Sequence, residues 1–335
     1  MSLTKISWAD RVWNPLLGCT RVSDGCDSCY AISTVHRWAH SPNPTVAAAF
    51  GGLTEHRDGR LDWTGRVNLL PGRLEPLGVR KPQRWFVNSQ ADLFHEQVPL
   101  SHIQQVLAVV AAAPRHTFMV LTKRHARMAA VMRRRGLARA VWDIAADTRG
   151  AHPAADGWPL RNLWLGVSVE DQRWADIRIP ALLDTPAAVR WISAEPLLAP
   201  IDLRPYLAAA TGTETQPGLG RVAGHQPQLD WIVAGGESGP HARAMNPAWV
   251  RAVRDQALST GTPFWFKQWG AWAPTGRHAS TLSPRNTREL LAGPPLDAHG
   301  NREVIEHLGT TRAGDLLDGR IWQQLPVLGE RSPAR

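Results

Sequence analysis

A chain of 335 residues is long enough to bury a sizeable core and fits one large α/β domain with insertions. Its content of 43% hydrophobic and 20% charged residues excludes disorder, collagen and coiled coil as the main state. The formal net charge of +9 favours nucleic acid, nucleotides or other anions as partners, although its arginine-rich character can equally reflect a GC-rich genome.

The amino-terminal part of the chain carries no signal for export. Residues 1–15 lack the apolar stretch of a signal peptide, and no apolar run reaches the ~18 residues that a membrane-spanning helix needs. We therefore expect a cytoplasmic protein without membrane contact. Residues 6–17 can supply a first strand.

All three cysteines, Cys19, Cys26 and Cys29, fall within eleven residues with the spacing C-x6-C-x2-C. An odd, clustered set argues against a disulfide framework and for metal or redox chemistry. Three thiolates can hold three irons of a [4Fe-4S] cluster and leave the fourth iron open for S-adenosylmethionine (SAM). The alternative is a Cys3His zinc site that takes His36 or His40 as its fourth ligand.

Six short apolar runs rich in Trp, Val, Ile and Phe alternate with helical patterns, which is typical of parallel βα units. The predicted strands are 85–88, 118–121, 163–167, 189–192, 231–234 and 264–266. The predicted fold is therefore α/β, with a partial or full parallel βα barrel.

Four helices are predicted between these strands. One begins with a capping box at Ser101, and another has Asn246 as its N-cap before Pro247. The other two cover 124–136 and 171–184. The inward face of the last helix is predicted to contain Trp174, Ile177 and Leu182.

Two stretches that interrupt this alternation, 41–83 and 205–228, are predicted to be surface insertions. The predicted organisation is a barrel over 1–270, with a cluster-binding loop at 18–30. The polar residues 271–335 form a carboxyl-terminal extension that packs on the barrel.

Polar residues follow every predicted strand, where they converge on one face of a parallel barrel. These residues are Asn88, Asp92, Lys123, Arg124, Ser168, Glu170, Ser193, Glu195, Gly235, Gly236, Glu237, Lys267 and Gln268. Helix capping explains any single one of them. Together they favour a shared polar site.

The motifs in combination resemble a known family. They are Asn14-Pro15 before the cysteines, Thr122-Lys-Arg124, Ser168-Val-Glu-Asp171, Ser193-Ala-Glu-Pro-Leu197, Gly235-Gly-Glu-Ser-Gly239, Phe266-Lys-Gln-Trp-Gly270 and Leu316-Leu-Asp-Gly-Arg320. Over about residues 5–327 the chain resembles the phage gp-thirty-seven/gp-sixty-eight family of unknown function. That family resembles a divergent branch of the radical SAM enzymes, which implies a βα barrel with the cluster loop at its mouth.

The resemblance implies roles for individual residues. Cys19, Cys26 and Cys29 would hold a [4Fe-4S] cluster. The residues expected to bind SAM are Tyr30, Asn88, Ser168, Ser193, Glu195, Gly235, Gly236 and Glu237. The residues expected to bind substrate are Asp92, Lys123, Arg124, Glu170, Lys267 and Gln268. No catalytic residue is assigned.

This chain departs from the usual radical SAM pattern. The usual spacing is C-x3-C-x2-C with an aromatic residue before the last cysteine, where this chain has Ser28 and places Tyr30 after the motif. The usual Gly-Gly-Glu follows an early strand, whereas the one ending at Glu237 follows a late strand. Glu195 therefore competes with Glu237 for the SAM amino group.

The expected substrate is a nucleoside, a nucleotide or a nucleic-acid base, and the expected electron donor is a flavodoxin or ferredoxin. Lys123, Arg124 and Lys267 either bind an anion or pair internally with Asp92, Glu170 and Asp171. Two other functions stay open. One is a non-catalytic nucleic-acid-binding module stabilised by zinc or a cluster, and the other is a cluster-dependent sulfur-inserting enzyme.

Overall fold

The computed structural model describes residues 4, 6–73, 75–153, 157–208, 228–239, 241–278, 289–292 and 302–327. The strands are β1 (Arg11–Trp13), β2 (Leu16–Leu17), β3 (Thr54–Arg57), β4 (Arg60–Trp63), β5 (Asn68–Leu69), β6 (Arg84–Val87), β7 (Thr117–Thr122), β8 (Leu163–Ser168), β9 (Val189–Ala194), β10 (Trp231–Gly235), β11 (Phe264–Gln268), β12 (Trp272–His278), β13 (Glu289–Ala292) and β14 (Glu303–His307). The helices are α1 (Tyr30–Ala39), α2 (Pro44–Phe50), α3 (Glu75–Gly78), α4 (Leu100–Ala111), α5 (His125–Met132), α6 (Leu137–Arg149), α7 (Gln172–Leu183), α8 (Pro247–Ser259) and α9 (Thr310–Ala313).

Seven parallel strands form one sheet in the order β1-β6-β7-β8-β9-β10-β11. Each strand of this sheet lies beside the one that precedes it in the chain, as expected for consecutive right-handed βα units. Because β1 and β11 form the two edges, the sheet is a half-barrel. The predicted partial parallel βα barrel is confirmed, and so are all six predicted strands; residues 6–17 supply β1.

Helices cover the convex face of the sheet, where they share a core with alternate strand residues. Asn246 caps α8 as predicted, its side chain accepting from the Ala248 N–H at 2.9 Å. The predicted capping box at Ser101 is wrong, because α4 begins at Leu100 after Pro99 and has no side-chain cap. The predicted face of α7 is shifted, because Ile177 is 41% exposed and Arg178 is fully buried.

Tryptophans fill the concave face of the half-barrel. Trp164, Trp191, Trp231 and Trp265 come from neighbouring strands, and Trp8 packs against them from the amino-terminal segment. This large apolar layer leaves the carboxyl-terminal ends of the strands as the part of the concave face available to polar residues.

Residues 41–83 pack against α1 rather than lying free on the surface. Phe50, Leu53 and Trp63 form a separate small core with Ile32 and Val35 of α1. The stretch contains α2, the β3–β4 hairpin, β5 and α3. Most of the second predicted insertion, 205–228, lies outside the described residues.

The carboxyl-terminal residues contain a three-stranded antiparallel sheet of order β12-β14-β13, which the sequence pattern did not predict. A later segment runs along the β11 edge: the Phe266 N–H donates to the Trp322 carbonyl at 2.8 Å, and the Trp231 indole donates to the Gln324 carbonyl at 2.9 Å. Within the described part of the chain, no helix is long and apolar enough to span a membrane.

Candidate functional site

Polar residues at the carboxyl-terminal strand ends contact one another across the sheet. Lys123 Nζ, after β7, lies 3.1 Å from Glu170 Oε1, after β8. Lys267 Nζ of β11 lies 2.6 Å from Glu195 Oε1, after β9. Side chains alternate between the two faces of a strand. Lys267 therefore lies on the concave face, because it is two residues beyond the concave-facing Trp265. The predicted convergence of these pairs is therefore found in the fold.

The loop that carries the three cysteines, residues 18–30 (the cysteine loop), docks on this edge of the sheet. Ser23 Oγ donates to Glu170 Oε1 at 2.8 Å, and the Tyr30 hydroxyl donates to the Ser89 carbonyl at 2.8 Å. Arg243 Nη2 donates to the Asp24 carbonyl at 2.7 Å. The loop thus contacts residues that follow β6, β8 and β10.

The three thiols lie close enough to influence one another. Burial raises the pKa of Cys19 to about 12, with the Asp92 charge and the other two thiols acting in the same direction and Arg124 opposing them. Burial likewise raises the pKa of Cys29, whereas the Ala31 backbone N–H and Lys123 lower it. Cys26 is buried and Cys19 and Cys29 are half-buried, with charges of both signs near Cys19 and Cys29.

The donor set fits an iron–sulfur group. Among the described residues, no group of three or more His, Cys, Asp or Glu side chains is arranged to hold a single metal ion. A tetrahedral zinc ion would draw its ligands to ~2.3 Å from one point, whereas a cluster spreads its thiolates over several irons. Three thiols on one loop are donors of the kind that such a cluster takes.

The histidines considered as a fourth zinc ligand are engaged elsewhere. His36 Nδ1 lies 3.2 Å from Thr54 Oγ1, and the His40 ring packs against His36 with their centroids 4.6 Å apart. His56 of β3 packs on the other side of His36 at 5.5 Å. This arrangement disfavours the Cys3His alternative.

Glu170 is fully buried, at 0% exposure. Besides Lys123 and Ser23 it binds Arg178 of α7, whose Nη1 lies 2.9 Å from Oε2. Burial alone would raise the pKa of Glu170, but Lys123 and Arg178 lower it further than burial raises it. The group of two cations and one carboxylate is ionised and carries one net positive charge.

A second ion cluster surrounds Cys19. Arg124 Nη1 lies 3.6 Å from Cys19 Sγ and 3.2 Å from Asp92 Oδ2. Its Nε donates to Glu96 at 2.9 Å, and Thr122 Oγ1 donates to Asp92 at 2.7 Å. Arg124 therefore bridges the end of β7 to the cysteine loop.

The two glycines of the Gly235-Gly236-Glu237 motif let Glu195 and Trp269 approach the backbone. A Cβ at Gly235 would lie 3.5 Å from the Glu195 carboxyl carbon, and one at Gly236 would lie 2.7 Å from the Trp269 carbonyl carbon. Glu237 pairs with Arg243 at 2.6 Å. Both carboxylates proposed for the SAM amino group thus have a cationic partner within the protein.

The remaining predicted residues differ in their surroundings. Ser168 and Ser193 are buried at paired positions of β8 and β9, and Gln268 donates to Ser238 at 2.8 Å.

Asn88 has a positive φ of 62°, is 3% exposed, and finds no hydrogen-bond partner for its side-chain amide within the described protein. A buried amide without a partner is costly, and such positions are often functional.

Sequence reasoning missed three residues that shape the site: Ser23, Arg178 and Arg243. The sequence gives one indication that Arg178 is buried: it is a cation on the apolar face of a predicted helix, which is unusual without a buried partner. Ser23 and Arg243 reach the site only through loop geometry, for which the sequence holds no periodic signal.

Over residues 3–326 the chain matches the family described as "Protein of unknown function (DUF5131)". The match covers nearly the whole chain, and the chain belongs to this family. A comparison with curated proteins and with solved structures finds no match. The family description mentions neither a phage protein nor radical SAM chemistry, so both resemblances stay predictions.

Proposed function

We propose that this protein is a radical SAM enzyme of the phage gp-thirty-seven/gp-sixty-eight type, which holds a [4Fe-4S] cluster on Cys19, Cys26 and Cys29. One observation supports this above all: every cysteine of the chain lies on one loop, and that loop docks at the carboxyl-terminal edge of a parallel half-barrel. Ligands bind at this edge in βα barrels. When bound, the cluster would pass one electron to SAM, which splits into methionine and a 5'-deoxyadenosyl radical.

The residues of the chain would bind and orient SAM beside the cluster. Both carboxylates have a cationic partner, but Glu195 is the better candidate for the SAM ammonium because its side chain is 17% exposed, against 5% for Glu237. Tyr30 is 51% exposed and its hydroxyl is held by the Ser89 carbonyl at 2.8 Å, so its ring can pack against a ligand at this edge. The buried amide of Asn88 offers a donor and an acceptor.

The proposed substrate is a nucleoside, a nucleotide or a nucleic-acid base, modified after hydrogen abstraction by the radical. The net charge of +9 supports a partner of this class. Lys123, Arg124 and Lys267, the cations predicted to bind an anion, are each paired with a carboxylate. A neutral nucleoside or base therefore suits this edge better than a phosphate. Flavodoxin or ferredoxin would supply the electron, in the cytoplasm.

The test is anaerobic reconstitution with iron and sulfide, followed by metal counting and electron paramagnetic resonance (EPR) with and without SAM. We expect about four irons per chain, a spectrum that SAM perturbs, and 5'-deoxyadenosine after reduction. Replacing any one cysteine by Ala should abolish the cluster. One equivalent of zinc without iron would instead indicate the non-catalytic nucleic-acid-binding module, and sulfide loss into a product would indicate sulfur insertion.

A further inference from the structure

Lys123 and Arg124 face the cysteine loop from the end of β7. We propose that these two residues, together with Arg178, form a cationic seat for the anionic iron–sulfur group, and that they are positioning residues rather than a binding site for substrate phosphate. This inference rests on the proposed function, since it concerns the group that the cysteines would hold.

Lys123 lies under the part of the loop that carries Cys26 and Cys29. Its side chain is 17% exposed, and its charge acts on the Cys29 thiol. Its partner Glu170 also accepts from Arg178, so one carboxylate faces two buried cations. These three side chains together carry a net charge of +1 beneath the loop, and Asp171 also acts on Arg178.

The loop is fitted closely to this group of charges. Ser23 Oγ donates to Glu170, and a Cβ at Gly25 would lie 2.8 Å from the Glu170 carboxyl carbon. Only glycine allows the loop to approach so closely. The net positive charge and the thiols are therefore held at short range by packing as well as by hydrogen bonds.

Arg124 places a hydrogen-bond donor beside Cys19. Its Nη1 lies 3.6 Å from Cys19 Sγ, within hydrogen-bond range for sulfur, and its side chain is only 9% exposed. Its Nη2 donates to the carbonyl of Thr20, the next loop residue, at 3.3 Å. Hydrogen bonds and positive charges next to cluster sulfur raise the reduction potential by favouring the more negative reduced state.

Charge balance explains why an iron–sulfur group needs such a seat. Three thiolates and a [4Fe-4S] core of charge +2 give a net charge of −1, and reduction makes it −2. A buried anion is unfavourable unless positive charge lies nearby. Lys123, Arg124 and Arg178 supply such charge beside the loop, each shared with a carboxylate of the half-barrel.

The experiment compares Lys123→Met with Lys123→Arg in reconstituted full-length protein. Lys81→Met is the matched control, because Lys81 is exposed and precedes β6, at the opposite end of the strand. Iron and sulfide are counted, and the midpoint potential is measured by EPR-monitored titration. For Lys123→Met we expect the ratio of reduced to oxidised cluster at fixed potential to fall about tenfold, equivalent to ~59 mV for one electron.

Lys123→Arg and Lys81→Met should keep the wild-type potential. If Lys123→Met loses its cluster altogether, retention of the cluster by Lys123→Arg supports the role of charge, and loss in both overturns it. Full iron content with an unchanged potential in Lys123→Met also overturns the inference while leaving the proposed function intact. If the wild-type protein takes up neither iron nor sulfide, both this inference and the proposed function are wrong.

Discussion

Ser23 Oγ donates a hydrogen bond of 2.8 Å to Glu170 Oε1, joining the cysteine loop to a strand end 147 residues further along the chain. Glu170 itself is held by Lys123 and Arg178. The position of the cysteines is therefore determined by a buried ion group that belongs to the half-barrel. Formation of the loop and packing of the barrel should be energetically coupled.

The first prediction tests the close contact between loop and barrel. Gly25→Ala places a Cβ against the buried Glu170 side chain, and overpacking of this kind costs about 1–3 kcal/mol. We expect a lower urea midpoint and a lower iron content after reconstitution. Gly72→Ala is the control, because a Cβ there meets no atom within 4 Å. Equal effects of the two substitutions would contradict close packing at Gly25.

The second prediction concerns the charge of Glu170. Glu170→Gln leaves Lys123 and Arg178 without their carboxylate, and breaking a buried ion pair costs about 3–5 kcal/mol in unfolding free energy at pH 7. Glu55→Gln is the control: Glu55 pairs with Arg57 on the surface, so its loss should cost under about 1 kcal/mol.

The pH dependence of Glu170→Gln follows from the same contacts. Lys123 and Arg178 lower the folded pKa of Glu170 despite its burial. Its stabilisation is therefore fully present above the unfolded pKa of ~4.3 and is lost as the pH falls through the folded pKa. The difference between wild type and Glu170→Gln, measured by urea unfolding, should shrink on acidification below about pH 4. A difference that stays constant would mean that packing, not charge, is lost.

The periodic parts of the fold were predictable from the sequence. All six strand predictions are confirmed because buried parallel strands are nearly continuous apolar runs. The inward face of α7 differs from the predicted one because a cation, Arg178, lies in the core. Glu170 makes its burial possible, and the sequence pattern of apolar residues cannot show such a pair. The sheet formed by β12, β13 and β14 is not predicted because its short strands mix polar and apolar residues without a clear alternation.

The candidate site was predictable in composition but not in its pairings. Strand ends converge in any parallel barrel, so Lys123, Glu195 and Lys267 could be placed together from the sequence. Which carboxylate meets which cation depends on sheet curvature and on the loop from Gly18 to Tyr30. The contacts of Arg124 with Cys19 and of Arg243 with Asp24 join residues more than a hundred positions apart, and no sequence pattern encodes them.

The third prediction concerns Asp230, which precedes β10. Burial raises its pKa to about 6, although the Arg190 backbone N–H donates to it at 2.7 Å. An acid with a raised folded pKa contributes stability that is present below its unfolded pKa of ~3.9 and is lost as the pH rises through about 6. Wild-type protein should therefore lose about 1–3 kcal/mol of unfolding free energy over this interval.

Asp230→Asn removes this dependence, because the amide oxygen can still accept from the Arg190 N–H without carrying charge. We expect the variant to exceed wild type in stability at pH 7.5 and to approach it near pH 4, as measured by thermal or urea unfolding. Asp58→Asn, at an exposed position, should show no such crossover with pH. A variant that is less stable than wild type at both pH values would rule out the proposed effect of burial.

The last prediction separates the two carboxylates that could bind the SAM ammonium. Glu237 is 6% exposed and is fixed by Arg243, which also donates to the Asp24 carbonyl of the cysteine loop. Glu195 contacts Lys267 at a more open position. Glu195→Gln should therefore weaken SAM binding at least tenfold, the equivalent of one charged hydrogen bond of about 1.5–3 kcal/mol, with iron content unchanged.

Glu237→Gln should have the opposite pattern, because it releases Arg243 from its carboxylate and loosens the cysteine loop. We expect lower iron retention in this variant, with SAM affinity per cluster close to that of wild type. Equilibrium dialysis of SAM against reconstituted protein, normalised to iron, measures both quantities. Weak SAM binding at full iron content in Glu237→Gln would transfer the ammonium contact to Glu237. Normal SAM affinity in both variants would leave the two carboxylates as partners of Lys267 and Arg243 alone.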